Sequence, residues 1–256
     1  MLRNNQDDER SRSSGCFATI RMTTNEGDSL MLNLDITKCN VAIDKLLEVT
    51  TNPRHRFILM AYARHRHLEF SGHYEDVLTD DMMNEHPIYT IRAIGVDTMI
   101  NGKDEVRALY KNWAETNQCV FYIENEQVAV ADNFVASKLT SYQQIWGGTL
   151  KATKLLGVLP KGLTHDLFIK MLEFKGLKPD PDSMYLYKTH EQWFWPYDDR
   201  GRLMREDILE PDRSTAEVIK LDASDVLTAQ RASELLAPLI KPLPSFDEMV
   251  LGKVPV

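Results

Sequence analysis

A chain of 256 residues can bury a full core as one domain with extensions, and a net charge of -8 with a sequence pI of 5.4 leaves no basic surplus for nucleic acid. No apolar run approaches a membrane span, the first ten residues lack a signal-peptide core, and the widely spaced Cys16, Cys39 and Cys119 suit neither a disulfide framework nor a thiolate metal site. A cytoplasmic protein with reduced cysteines and no membrane partner is expected.

In chain order, residues 1–15 are polar and charged and are expected to be disordered. Residues 16–52 carry short apolar runs, such as Leu30-Met31-Leu32 and Val41 to Leu47, and read as an N-terminal arm. Pro53 fits a helix start, and Phe57, Ala61, His65 and Leu68 recur at helical spacing up to the stop at Ser71-Gly72. A short helix around Tyr74 to Leu78 leads into Glu85-His86-Pro87, where the proline pushes His86 into an extended conformation. Gly102 to Glu105 then precede Val106, Leu109, Tyr110 and Trp113, an amphipathic helix with acids at its positive end.

From Cys119 the period changes to strands: Val120 to Glu124, a turn at Glu124 to Gln127, Val128 to Ala131, and Phe134 to Trp146. Residues 147–183 form an insertion with a helical piece around Leu167, Phe168, Met171 and Leu172. A strand from Met184 to Tyr197 turns at Asp198-Asp199-Arg200-Gly201 into a final strand, Arg202 to Glu210. The extension over 213–256 holds a helix from Ser224 to Leu236. The pattern predicts an α+β architecture, a curved antiparallel sheet with helices on one face.

Tyr62 lies twenty-four positions ahead of His86, and the Asp-Asp-Arg-Gly hairpin follows a strand rich in tryptophan and tyrosine. Over residues 53–212 this order resembles the ketosteroid-isomerase branch of the nuclear-transport-factor-2-like (SnoaL-like) superfamily. The resemblance implies a cone-shaped pocket closed by the sheet, with Tyr62 as acid and His86 as base. Glu85 alternates with His86 and is expected to face solvent. Matched back from Gly201, the family's second acid falls at Trp193, which cannot replace a carboxylic acid. Counted forward, Glu206 and Ile208 face the pocket and Asp207 turns away. Alternation puts Tyr187, Thr189, Glu191, Trp193 and Trp195 on one face, and Tyr142 and Trp146 add to an aromatic lining.

The expected catalytic set is therefore His86, Tyr62 and Glu206, and the expected substrate contacts are Trp193, Trp195, Tyr187, Glu191, Ile208 and Tyr142. No metal is expected: His65 and His67 are two apart on a helix, point in different directions, and read as part of a solvated charged face. No Gly-rich phosphate loop or nucleophile elbow appears, so no cofactor is expected either. The leading reading is a cofactor-independent lyase of aromatic-compound catabolism, dehydrating or cleaving a carbon–carbon bond of a bulky hydrophobic small molecule. An isomerase or polyketide-type cyclase is the runner-up, and a non-catalytic ligand-binding or assembly protein the third reading. A homodimer or homotrimer is expected, paired through the outer sheet face at Phe194.

Overall fold

The computed structural model describes residues 18–23, 29–93, 97–150, 154–155, 159–160, 173 and 178–252. The polar segment at 1–15 and the helical piece around Leu167 to Leu172 lie outside these residues. Two strands, β1 (Ala18–Thr23) and β2 (Ser29–Leu34), pair antiparallel and lead to α1 (Val41–Val49). Asn52 then caps the long helix α2 (Pro53–Phe70), its side-chain oxygen accepting the N–H groups of Arg54 and His55, while Pro53 occupies the first turn, where an N–H is not needed. The chain continues through α3 (Tyr74–Val77), β3 (Met83–Arg92), β4 (Thr98–Asn101) and α4 (Gly102–Glu115).

The rest is largely sheet: β5 (Phe121–Ala131), β6 (Phe134–Trp146), the two-residue strands β7 (Lys154–Leu155) and β8 (Leu159–Pro160), β9 (Met184–Pro196), β10 (Leu203–Leu209) and β11 (Glu217–Lys220). Two helices follow, α5 (Ala229–Leu236) and α6 (Phe246–Met249). The main sheet runs β4-β3-β10-β9-β6-β5, and β11 extends the β10 row along β9. All its pairings are antiparallel except β3 with β10, which is parallel because β10 reaches β3 from across the sheet rather than through a hairpin. The turn expected at Glu124 to Gln127 is instead an irregularity within one strand, with Asn125 at φ 53 absorbing the extra residue.

The α+β architecture thus has an open sheet with helices on one face. Helix α2 packs on β5 and β6 and α4 on β3 and β4, while α1, α5 and α6 cover the back of α2. That double covering explains why α2 buries residues around most of its circumference, including His65, Arg66 and His67. The tract expected to be a solvated face is interior.

Gly201 closes the β9–β10 turn at φ +72, and a Cβ there would lie 2.6 Å from the Phe57 ring, so both backbone and packing demand glycine. Beyond this turn the register of β10 against β3 shifts between Leu203 and Arg205, so that Leu203 and Glu206 are both buried. On the other sheet face, Thr90, Lys138, Gln192, Phe194, Arg205 and Asp207 border an open groove of about 710 Å³. Among the described residues no helix is long and apolar enough to cross a membrane.

Candidate functional site

The i,i+4 spacing on α2 sets His65 and Glu69 one above the other, His65 Nε2 being 3.6 Å from Glu69 Oε2. Strand β10 delivers Glu206 from the sheet side. One ligand atom of each of His65, Glu69 and Glu206 lies within 4.8 Å of the others, and all three residues are buried. Tyr110 from α4 and Tyr89 from β3 complete the cluster. The Tyr110 hydroxyl is 3.0 Å from His65 Nε2 and donates to the Tyr89 hydroxyl at 2.9 Å. Both phenols act on the Glu206 carboxyl, whose Oε2 has no hydrogen-bond partner. Glu69, Glu206, Tyr89 and Tyr110 border an interior cavity of about 30 Å³, walled on its apolar side by Ile91, Leu109, Trp113 and Phe121.

Burial decides the protonation states. Desolvation by burial holds His65 down to about 3, so its imidazole is neutral and serves as a hydrogen-bonding group rather than a base. Desolvation pushes Glu69 up to about 8, against the pull of Arg66. Glu206 is raised well above the ordinary carboxylate range by burial and by the neighbouring Glu69 charge, with Tyr89 and Tyr110 pulling it partly back. Two carboxyls this close cannot both ionise cheaply, so near neutrality Glu206 keeps a proton while Glu69 titrates. Glu191, across the cavity, is pushed up to about 7 by burial while accepting the Trp193 Nε1 hydrogen at 2.8 Å.

The positive charge nearest in sequence, Arg66, is committed elsewhere. Its guanidinium holds both oxygens of Glu126 at 2.8 and 3.0 Å, donates to the Cys39 carbonyl, and lies over the rings of Tyr62, Phe70 and Trp193. Among the described residues no lysine or arginine forms an ion pair with Glu69 or Glu206.

Of the residues singled out from sequence, Glu206, Glu191, Trp193 and Ile208 line the interior cavity. Asp207 turns to the outer groove, as strand alternation demands. Tyr62 is buried but does not line the cavity; its hydroxyl lies 3.2 Å from Ser137 Oγ, and its ring meets Trp195, which also packs edge-on to His65. Tyr187 donates to Glu210 at 2.7 Å and Tyr142 to Glu124 at 2.9 Å, both away from the cluster.

His86 requires a correction. It is exposed, and the expected convergence of Tyr62, His86 and Glu206 does not form. The reason is strand parity: Pro87, Tyr89 and Ile91 point inward from β3, which turns His86 out. The residues missed from sequence are His65, Glu69, Tyr89 and Tyr110. The pairing of His65 with Glu69 had a legible signal, since an acid follows that histidine at i,i+4.

No protein-family model matches this chain, and no curated relative does. Among solved structures it is similar to a candidate SnoaL-like polyketide cyclase from Jannaschia sp. CCS1, at 12% identity over 62% of this chain and 89% of that one, TM-score 0.40. It is similar also to RV0760c from Mycobacterium tuberculosis in complex with estradiol-17beta-hemisuccinate, at 10% identity over 65% of this chain and 99% of the other, TM-score 0.39. A third is an NTF2-like protein with a cystatin-like fold from Novosphingobium aromaticivorans, at 13% identity over 68% and 90%, TM-score 0.34.

Proposed function

We propose that the chain is a general acid–base catalyst that enolises a hydrophobic carbonyl compound at the Glu69–Glu206 pair. The observation that carries this reading is the placement of two buried carboxyls and a phenol chain on one interior cavity, with Glu206 Oε2 unbonded. Glu69, as carboxylate, removes a proton from the carbon next to the carbonyl. Glu206, as acid, and the Tyr89 phenol donate hydrogen bonds to the oxygen on which the electron pair settles, while Tyr110 donates to Tyr89. Returning the proton to a different carbon gives isomerisation. A substrate with a hydroxyl on the next carbon instead expels it as water, taking the Glu206 proton, which is the lyase outcome. His65 orients Tyr110.

The interior cavity holds about one water, so it admits a substrate only if its walls move, which favours a flat, small ring system over a bulky polycyclic one. The larger outer groove is open and brings together Arg92, Lys138, Arg205 and Asp207, with Arg205 already bonded to Asp207 at 2.6 Å. It offers no acid–base pair.

The test is deuterium uptake from D2O into a panel of small cyclic ketones and enones, followed by NMR. Wild-type protein should exchange α-hydrogens of at least one probe, and Glu206→Gln, folded by circular dichroism, should lose about 100-fold or more in rate. Equal exchange by the two proteins would overturn the assignment.

A further inference from the structure

We propose that His65 Nε2, one carboxylate oxygen of Glu69 and one of Glu206 form a binding site for a divalent transition ion of the zinc type. Zinc bonds of about 2.0–2.2 Å in a tetrahedron set neighbouring ligand atoms roughly 3.3–3.6 Å apart. His65 Nε2 and Glu69 Oε2 already stand 3.6 Å apart, held there by the helix turn between them. The third ligand atom, from the opposite wall, is within 4.8 Å of both, a gap that a small rotation of the Glu206 side chain closes.

A second, independent feature points the same way. Glu206 Oε2 is buried and accepts no hydrogen bond, an arrangement that costs free energy unless something completes it. The one cation beside Glu69 in sequence is occupied by Glu126. A doubly charged ion would neutralise both carboxylates where no side chain does. The adjoining cavity of about 30 Å³ takes one water, the fourth ligand of an open tetrahedral site. One imidazole and two carboxylates make a nitrogen–oxygen donor set that suits zinc, cobalt, manganese or iron(II) and not a soft ion such as copper(I). On binding, the imidazole presents its Nε2 lone pair to the ion, and the Tyr110 hydroxyl turns its contact toward the metal-bound water.

The ion and the transferable proton would occupy the same oxygens, so metal binding should suppress enolisation; that consequence rests on the proposed function, whereas the binding itself does not. The probe is cobalt(II), titrated into protein dialysed against a strong chelator. One equivalent per chain should give saturable visible d–d bands of a low-coordinate site. Glu69→Gln and Glu206→Gln should each weaken binding by more than about tenfold, while His86→Ala, a change at an exposed histidine, should leave it intact. Absence of a saturable spectrum, its survival in a folded Glu206→Gln protein, or its loss in His86→Ala would overturn the site. Deuterium exchange measured alongside separates the two ideas: exchange by metal-free protein that falls as cobalt saturates supports both. Saturation without any change in exchange would overturn the competition, and exchange that appears only with cobalt would overturn metal-free enolisation while leaving the site.

Discussion

Replacing Glu69 and Glu206 together by glutamine should abolish most of the alkaline loss of stability of this protein. In the unfolded chain both carboxyls ionise near 4.5, whereas in the fold Glu69 keeps its proton to about 8 and Glu206 lies well above its ordinary value, mainly through burial. A folded pKa above the unfolded one stabilises fully below 4.5, and that contribution disappears as pH rises through about 8, because the unfolded state releases its protons first. Each tenfold step is worth about 1.4 kcal/mol per group, so between pH 5.5 and pH 8.5 Glu69 alone should cost on the order of 3–4 kcal/mol, with Glu206 acting in the same direction. At ~2–4 °C per kcal/mol for a chain of this size, the wild-type melting temperature should fall by roughly 10 °C across that window. Glutamine has nearly the same shape and no titration, so the double variant should be far flatter. Glu191, His65 and His67 titrate in both proteins and cancel in the difference. Thermal melts at half-unit pH steps decide the matter; parallel curves for the two proteins would refute the assignment of raised carboxyl pKa values to this pair.

Arg66→Met should destabilise by about 3–5 kcal/mol in urea unfolding, because it strands the Glu126 carboxylate, whose side chain is only 3% exposed; adding Glu126→Gln should recover part of the loss, and a cost below about 1 kcal/mol would contradict the buried pair. Gly201→Ala should lose about 2–4 kcal/mol from left-handed backbone and the clash with Phe57, against about 1 kcal/mol for Gly102→Ala, which shares a positive φ but has open space around it; equal melting shifts would remove the packing argument. On the acid side, burial holds His65 near 3 and His67 near 4, below the 6.5 of the unfolded chain, so their contribution is present above 6.5 and is lost as pH falls toward 3–4. His67→Gln should therefore flatten the acid limb seen by circular dichroism.

Much of the fold was legible because it depends on short-range signals. Asn52-Pro53 opens α2 and Ser71-Gly72 closes it, and both are local backbone chemistry. Glu206 and Ile208 were legible as cavity-lining residues through the family register counted from Gly201; strict alternation from Leu203 would have turned them outward, because an irregularity between Leu203 and Arg205 shifts the parity of β10. His86 failed for the same physics applied from a wrong anchor: the motif before Pro87 supplied a conformation but not a parity. The burial of His65 to His67 was not legible locally, since His65 packs on Tyr110 and Trp195, Arg66 on Glu126 and Trp193, and His67 on Asn40, all contacts distant in sequence. Comparing His65 with His67 alone also hid its partner Glu69, one turn further on.

The cost of the acid pair bears on what it is for. A core with Leu109, Trp113, Ile91 and Phe121 on one side gains nothing in stability from two adjacent carboxyls, and apolar residues of similar volume would pack there without the desolvation penalty. Arg66 shows that this same helix can pair a buried charge, with a carboxylate, a carbonyl and three ring faces, although its Nε has no hydrogen-bond partner. What sets Glu206 apart is that its unbonded Oε2 belongs to a carboxyl lining the cavity beside a second buried acid. Protons in transit and a divalent ion are the two occupants with the right charge for it, and both require the same three side chains to stay ionisable, close and dry.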